Sequence, residues 1–167
     1  MSFLDETLSN WRDVREEFIA EVENIRATKF DFRPTQEMRS VREQVQHVLE
    51  VAMMMTGELT RPDTDLRRAP WPELLAMYAS SAYDAQTKKE LLALLVSQLD
   101  DAEAKFRACG EEMMHGEIEN FNGSHWTRMQ WLHHGIAQEM YHRGQLTIYA
   151  RLMGLEPALT KRIRGAG

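Results

Sequence analysis

The fold is indicated most clearly by residues 133–146, HHGIAQEMYHRGQL, where polar and apolar side chains recur with the spacing of one helix. At about 100° per residue, His134, Gln138, Gln145 and His142 point within about 80° of one another. This polar stripe is predicted to face the core of the protein. The opposite side of the helix is predicted to face solvent and carries Glu139, Arg143, Thr147 and Arg151.

Inward-facing imidazole and amide groups cost free energy unless they find partners. His47 lies at the edge of another apolar helical arc and can meet the stripe across a helical bundle. Neutral imidazoles held from two helices, with a position left for water or substrate, suit a metal site with nitrogen and oxygen ligands. A buried hydrogen-bond network without metal stays open as the alternative.

Four amphipathic helices are predicted from apolar periodicity and from start and stop signals. Ser40 and Glu43 have capping-box spacing, and Gly154 and Pro157 form a stop signal. No segment alternates as a strand would, while residues 100–125 are ambiguous and end in a loop. The sequence therefore predicts an all-α four-helix bundle in a single domain over residues 1–167. Its helices cover residues 3–27, 41–59, 71–99 and 126–153.

The composition is that of an ordinary globular chain, with 43% hydrophobic and 28% charged residues. A net charge of −6 without a basic face argues against nucleic-acid binding. Cys109, the only cysteine, leaves no partner for an intrachain disulfide. No basic leader or long apolar run indicates export or a membrane span, so we expect a cytoplasmic protein.

Two segments resemble the DinB-like (DinB/YfiT) superfamily of small bacterial four-helix proteins. Residues 32–50, FRPTQEMRSVREQVQHVLE, resemble the second-helix region, where a Pro, a Ser cap and a His follow in order. Residues 134–157, HGIAQEMYHRGQLTIYARLMGLEP, resemble the last helix, with its HRGQ element and its Gly-x-x-Pro end. Together they extend the resemblance over essentially the whole chain.

The resemblance implies a divalent metal, nickel or zinc, held by three His residues. His47 and His142 match the first and third of these ligands, while Gln138 stands at the second position. An amide oxygen is a weaker ligand than imidazole, so a weakened site, recruitment of His134 and loss of the metal all stay open. Characterised relatives imply thiol S-transferases and mycothiol-dependent isomerases that use a low-molecular-weight thiol. A metal-bound thiolate or water would be the nucleophile.

The expected function is therefore metal-dependent transfer or hydrolysis on a small-molecule substrate. A non-enzymatic ligand-binding or stress-related module with a degenerate metal site is the alternative, and a purely structural protein is the third. We also expect a homodimer, in line with the family. It would use apolar residues near Trp71 and Trp126 and those that interrupt the predicted solvent side of the last helix: Leu132, Ile136, Met140 and Ala150.

Overall fold

Helices dominate the computed structural model, which describes residues 1–63 and 65–165. Four long helices form the bundle, so the predicted all-α four-helix architecture is confirmed. Three shorter helices complete the set. In chain order they are α1 Phe3–Asn24, α2 Val41–Leu59, α3 Trp71–Tyr78, α4 Ser80–Asp84, α5 Lys88–His115, α6 Arg128–Leu152 and α7 Ala158–Gly165.

The long helices pack so that α1 and α2 each contact both α5 and α6. Helices α1 and α2 are therefore diagonal to one another, and α6 lies between them. This arrangement brings side chains of α2 and α6 together although they are about a hundred positions apart in sequence. None of the helices in the described part of the chain is long and apolar enough to cross a membrane.

Capping boxes start all four long helices, which explains why these starts are sharp. In each box the N-cap hydroxyl accepts a hydrogen bond from the backbone N–H three positions on, and that residue's side chain accepts one from the N-cap backbone. The box predicted at Ser40 and Glu43 is confirmed. The others are Ser2 with Asp5, Thr87 with Glu90, and Thr127 with Gln130.

The third predicted helix is wrong in its limits. Residues 71–84 form the short helices α3 and α4, and the long helix begins only at Lys88, after the capping box of Thr87. It then continues past the predicted end at 99 to His115, with a kink at Gly110, where φ is 76°. The apolar spacing is helical on both sides of residue 87, so periodicity alone does not reveal the break there.

Two further elements lie outside the prediction. Glu117–Glu119 and His125–Thr127 pair as a two-stranded antiparallel hairpin; it occupies the end of the ambiguous stretch 100–125 and the first two residues of the helix predicted over 126–153, which begins only at Arg128. These strands have only three residues each, too few for alternation to be recognised in the sequence. Helix α7 follows Pro157, and the Glu21 carboxylate of α1 accepts hydrogen bonds from the backbone N–H groups of Ala158 and Leu159 at its start.

The side of α6 that faces the core also differs from the prediction. Glu139, expected in solvent, is buried, and its carboxylate accepts hydrogen bonds from Trp11 Nε1 at 2.7 Å and Arg15 Nε at 2.8 Å. Arg15 is itself fully buried and neutralises this charge. An acidic residue faces the interior here because a cation on another helix compensates it, and periodicity on α6 does not report that partner.

The core side is therefore rotated relative to the predicted polar stripe, which lies along its edge. His142 is buried and Gln138 and Gln145 are half-buried, whereas His134 is exposed. Three apolar residues that were assigned to a dimer surface, Leu132, Ile136 and Ala150, are instead buried in the chain's own core. Met140, Trp71 and Trp126, which belong to the same predicted surface, are exposed.

Candidate metal centre

The imidazoles of His47 and His142 face one another between α2 and α6. Their ring centres are 4.9 Å apart and their planes are nearly perpendicular, at 84°. His47 lies two turns into α2, and His142 lies in the middle of α6. The structure thus brings together two of the three residues predicted as metal ligands.

His142 is buried, and its two ring nitrogens have different surroundings. Nδ1 lies 2.8 Å from Oε1 of Gln44 and 2.8 Å from Oε1 of Gln145. An amide oxygen only accepts hydrogen bonds, so Nδ1 carries the proton. Nε2 is buried and has no hydrogen-bond partner among the described residues. This nitrogen offers an unused lone pair, as a metal ligand does.

A chain of hydrogen bonds supports this tautomer. The Tyr149 hydroxyl donates to the Arg39 backbone carbonyl at 2.9 Å and is 3.4 Å from Nε2 of Gln44. Because this hydroxyl proton is used, its oxygen accepts from the Gln44 amide nitrogen. The orientation of Gln44 then leaves Oε1 to accept from His142. Gln44 of α2, held in place by Tyr149 and the backbone of Arg39, therefore determines which nitrogen of His142 is free.

Burial also keeps His142 uncharged. The desolvation of its ring lowers the pKa of His142 below the ordinary 6.5, and the nearby His47 lowers it further, against the opposing hydrogen bond to Gln145. A neutral imidazole is the form that binds metal. At neutral pH the His142 ring is thus in the protonation state that a metal site requires.

His47 has a carboxylate neighbour on its own helix. Glu50, one turn later, is buried and places Oε2 3.4 Å from Nδ1 of His47. This long contact directs the Nδ1 proton towards the carboxylate and leaves Nε2 of His47 free. Carboxylate or carbonyl partners of this kind commonly orient metal-binding His residues.

Gln138 lies one helical turn before His142 on α6 and is half-buried. Together with His47 it lines a cavity of about 250 Å³, whereas the buried His142 does not line it. His134 lines the same cavity but is exposed and packs against Trp126 and Trp131, with ring centres 5.8 and 5.4 Å away. Gln138 is therefore available to the centre, whereas His134 belongs to the aromatic wall of the cavity.

The side chains of the candidate centre meet some of the requirements of a divalent ion. The unpartnered Nε2 of His142, its fixed tautomer and the adjacent His47 are what such an ion requires. No group of three or more His, Cys, Asp or Glu side chains is suitably gathered within residues 1–63 and 65–165. An ion here would have two imidazoles, the Gln138 amide oxygen and water or substrate as ligands.

Sequence reasoning did not identify the two residues of α2 that support the centre, Gln44 and Glu50. Both lie three positions from His47, so the helical spacing itself was a usable signal. Gln145 was recognised in the polar stripe, but its hydrogen bond to His142 was not. The role of Gln44 could not be read locally, because its partners His142 and Tyr149 lie on α6.

Solved structures with the same fold include several DinB-like proteins. YfiT from Bacillus subtilis, a probable metal-dependent hydrolase with an unusual four-helix bundle topology, aligns with a TM-score of 0.71 at 18% identity, over 93% of this chain and 91% of that one. The DinB-like protein YjoA from Bacillus subtilis aligns with a TM-score of 0.67 at 19% identity, over 89% and 92%. At these identities the similarity establishes the fold alone.

A mycothiol-dependent maleylpyruvate isomerase aligns with a TM-score of 0.64 at 15% identity. The alignment covers 87% of this chain but only 61% of the isomerase, so the isomerase has a large part with no counterpart here. Among curated proteins, none matches this sequence significantly. The sequence profile of the DinB family, by contrast, matches residues 1–164. The chain therefore belongs to the DinB family.

Proposed function

We propose that this protein binds nickel or zinc through His47, His142 and the side-chain oxygen of Gln138, and uses it to transfer or hydrolyse a group on a small molecule. The observation that carries the proposal is the buried Nε2 of His142, which has no hydrogen-bond partner in the described part of the chain. A buried polar atom without a partner is unfavourable unless something binds it.

The surrounding residues support this assignment through their hydrogen bonds. Gln44 and Gln145 hold the Nδ1 proton of His142, and Glu50 is placed to do the same for His47. Both Nε2 atoms are then free to bind one ion. When bound, a divalent ion would supply Lewis acidity and would lower the pKa of a water or thiol ligand.

The residues that line the cavity would position the substrate. Gln138 is half-buried and lines the cavity with His47; with its oxygen on the metal, its side-chain NH2 group can still donate a hydrogen bond to a bound molecule. The apolar cavity walls limit water around the reacting groups, which strengthens electrostatic interactions there. A low-molecular-weight thiol is the proposed co-substrate, by analogy with the mycothiol-dependent isomerase of the same fold.

A second candidate is a non-enzymatic ligand-binding module whose metal site has degenerated. The glutamine at position 138 favours it, because the amide oxygen is a poorer donor than imidazole for nickel or zinc. In that case His47, Gln138 and His142 would serve as a hydrogen-bond network beside a ligand cavity. The two candidates differ in whether the protein takes up metal.

Metal titration tests the proposal directly. Untagged, metal-stripped protein is titrated calorimetrically with zinc and with nickel, and we expect one ion per chain. His47→Ala and His142→Ala should each abolish binding, whereas His134→Ala should retain it. His125→Ala, an exposed residue on the hairpin, is the control for loss of a surface imidazole. Absence of binding to the wild type, or one bound ion retained in His142→Ala, would refute the assignment.

A further inference from the structure

The cavity beside the candidate metal centre has mainly apolar walls. Its volume is about 250 Å³. An apolar cavity of about 150 Å³ already accommodates benzene, so this one has room for a molecule with one or two rings. Six apolar side chains form most of the wall: Val51, Met54, Met55, Trp71, Phe121 and Trp131.

The cavity wall carries no formal charge from the residues that the structure describes. No Asp, Glu, Lys or Arg among them lines it, and the polar groups are His47, His134 and Gln138. Transfer of a carboxylate or phosphate from water into such surroundings is unfavourable without a cationic partner. An uncharged ligand loses much less hydration on entering, and one hydroxyl or carbonyl group can be satisfied by Gln138 or an imidazole.

Aromatic rings dominate one side of the cavity. The Phe121 ring packs edge-to-face on Trp71 and on Trp131, with ring centres 5.6 and 5.8 Å away. The Trp131 indole N–H donates to the Asn120 side chain, so its only polar atom is already satisfied. These side chains offer ring faces and edges to a ligand, which suits an aromatic molecule.

We propose that this cavity binds an uncharged molecule with one or two aromatic rings, and that such molecules are the substrate class of the adjoining centre. The substrate assignment rests on the proposed function, because His47 and Gln138 belong both to the cavity and to the candidate ligand set. Binding itself requires only the cavity, so it can be measured on metal-free protein.

Gly135 provides a way to fill the cavity from within. This residue lies on α6 against Met55, and a Cβ added there would stand 2.1 Å from the Met55 sulfur. Both residues line the cavity, so we expect the flexible end of Met55 to be displaced into that open space. Gly144→Ala is the matched control, because it is the same change on the same helix and, apart from its chain neighbours and the backbone of its own helix, no described atom lies within 4 Å of the new Cβ.

Two probes of the same shape test the ligand class. Metal-free protein is titrated calorimetrically with 2-naphthol, which is neutral, and with 2-naphthoate, which carries a carboxylate. We expect 2-naphthol to bind at least about tenfold more tightly. Gly135→Ala should weaken 2-naphthol binding by at least about tenfold, and Gly144→Ala should leave it unchanged. Circular dichroism verifies that both variants retain the wild-type helix content.

The proposal is overturned if 2-naphthol does not bind, if 2-naphthoate binds as well or better, or if Gly135→Ala binds 2-naphthol like the wild type. The comparison of the two probes on the wild type does not depend on the folding of any variant. Binding of 2-naphthol without uptake of zinc or nickel would refute the proposed function and keep the ligand class. Uptake of zinc or nickel without binding of 2-naphthol would refute the ligand class and keep the proposed function.

Discussion

Nδ1 of His142 lies 2.8 Å from Oε1 of Gln44, across the contact between α6 and α2. Because Gln44 is oriented in turn by Tyr149, this hydrogen bond sets which nitrogen of His142 carries the proton. Helix α2 therefore contributes two residues to the candidate centre, His47 and Gln44. It also holds the opposing imidazole in the tautomer that leaves Nε2 free.

Replacement of Gln44 tests this relationship. Gln44→Leu removes one of the two acceptors of the Nδ1 proton and leaves only Gln145, so zinc or nickel affinity should weaken by about 10- to 100-fold, as is usual when a hydrogen-bond partner of a metal ligand is lost. Gln44→Glu should recover most of the affinity, since a carboxylate accepts the same hydrogen bond. Calorimetric titration of the metal-stripped variants measures both effects. Wild-type affinity in Gln44→Leu would show that Gln44 does not position His142.

Gln138→His should strengthen metal binding, because it restores a His one helical turn before His142. We expect an increase of about tenfold or more, equivalent to about 1.4 kcal/mol. Ala137→His is the control, since it adds the same imidazole at the neighbouring, exposed position of α6. If His47, Gln138 and His142 form only a hydrogen-bond network, Gln138→His should not lead to metal binding and should lower the free energy of unfolding.

The buried pair of Arg15 and Glu139 should be important for stability. Glu139→Ala leaves the Arg15 guanidinium buried without its counter-ion, and the free energy of unfolding should fall by about 3–5 kcal/mol. The double variant Arg15→Met with Glu139→Leu should recover much of this loss, because it removes both charges. Urea unfolding measures all three proteins. A loss below about 1 kcal/mol in Glu139→Ala would mean that water reaches the pair.

Stability should decline in acid through the capping boxes. Hydrogen bonds from the N-cap residues Ser40 and Thr87 lower the pKa of Glu43 and of Glu90 below the ordinary 4.5. The unfolded chain therefore takes up protons first as the pH falls, so stabilisation present above pH 4.5 is lost between that value and the lowered pKa values. Glu43→Gln combined with Glu90→Gln should flatten the pH dependence there. Urea unfolding from pH 6 to pH 3 provides the measurement, and an unchanged slope would contradict it.

A homodimer through α6 stays a prediction, but of the residues of α6 named from the sequence only Met140 can contribute to its surface. Met140, Tyr141, Ile148 and Leu152 are the exposed large apolar residues of this helix. Sedimentation velocity at micromolar concentration should show a dimer, and Ile148→Asp with Leu152→Asp should yield a folded monomer. A monomeric wild type would remove this prediction without affecting the metal centre.

Local signals predicted the fold wherever a helix has its start signal and its apolar stripe within one stretch of sequence. The start of α2 at Val41 and the stop at Gly154 are of this kind, since capping hydrogen bonds join residues three positions apart. The start of α5 was missed because apolar spacing continues on both sides of Thr87. Its capping box with Glu90 was the signal that would have corrected this.

The sequence by itself determined the helical class, the family and the candidate ligands His47, Gln138 and His142, because helix spacing and family motifs are local patterns. Only the tertiary structure decided which side of α6 is buried, since the charge of Glu139 is compensated by Arg15 on α1. It also decided the tautomer of His142. Gln44 contacts His142 and Tyr149 only when α2 packs against α6. Burial and hydrogen bonding between distant segments depend on their packing, and no periodicity within one helix encodes them.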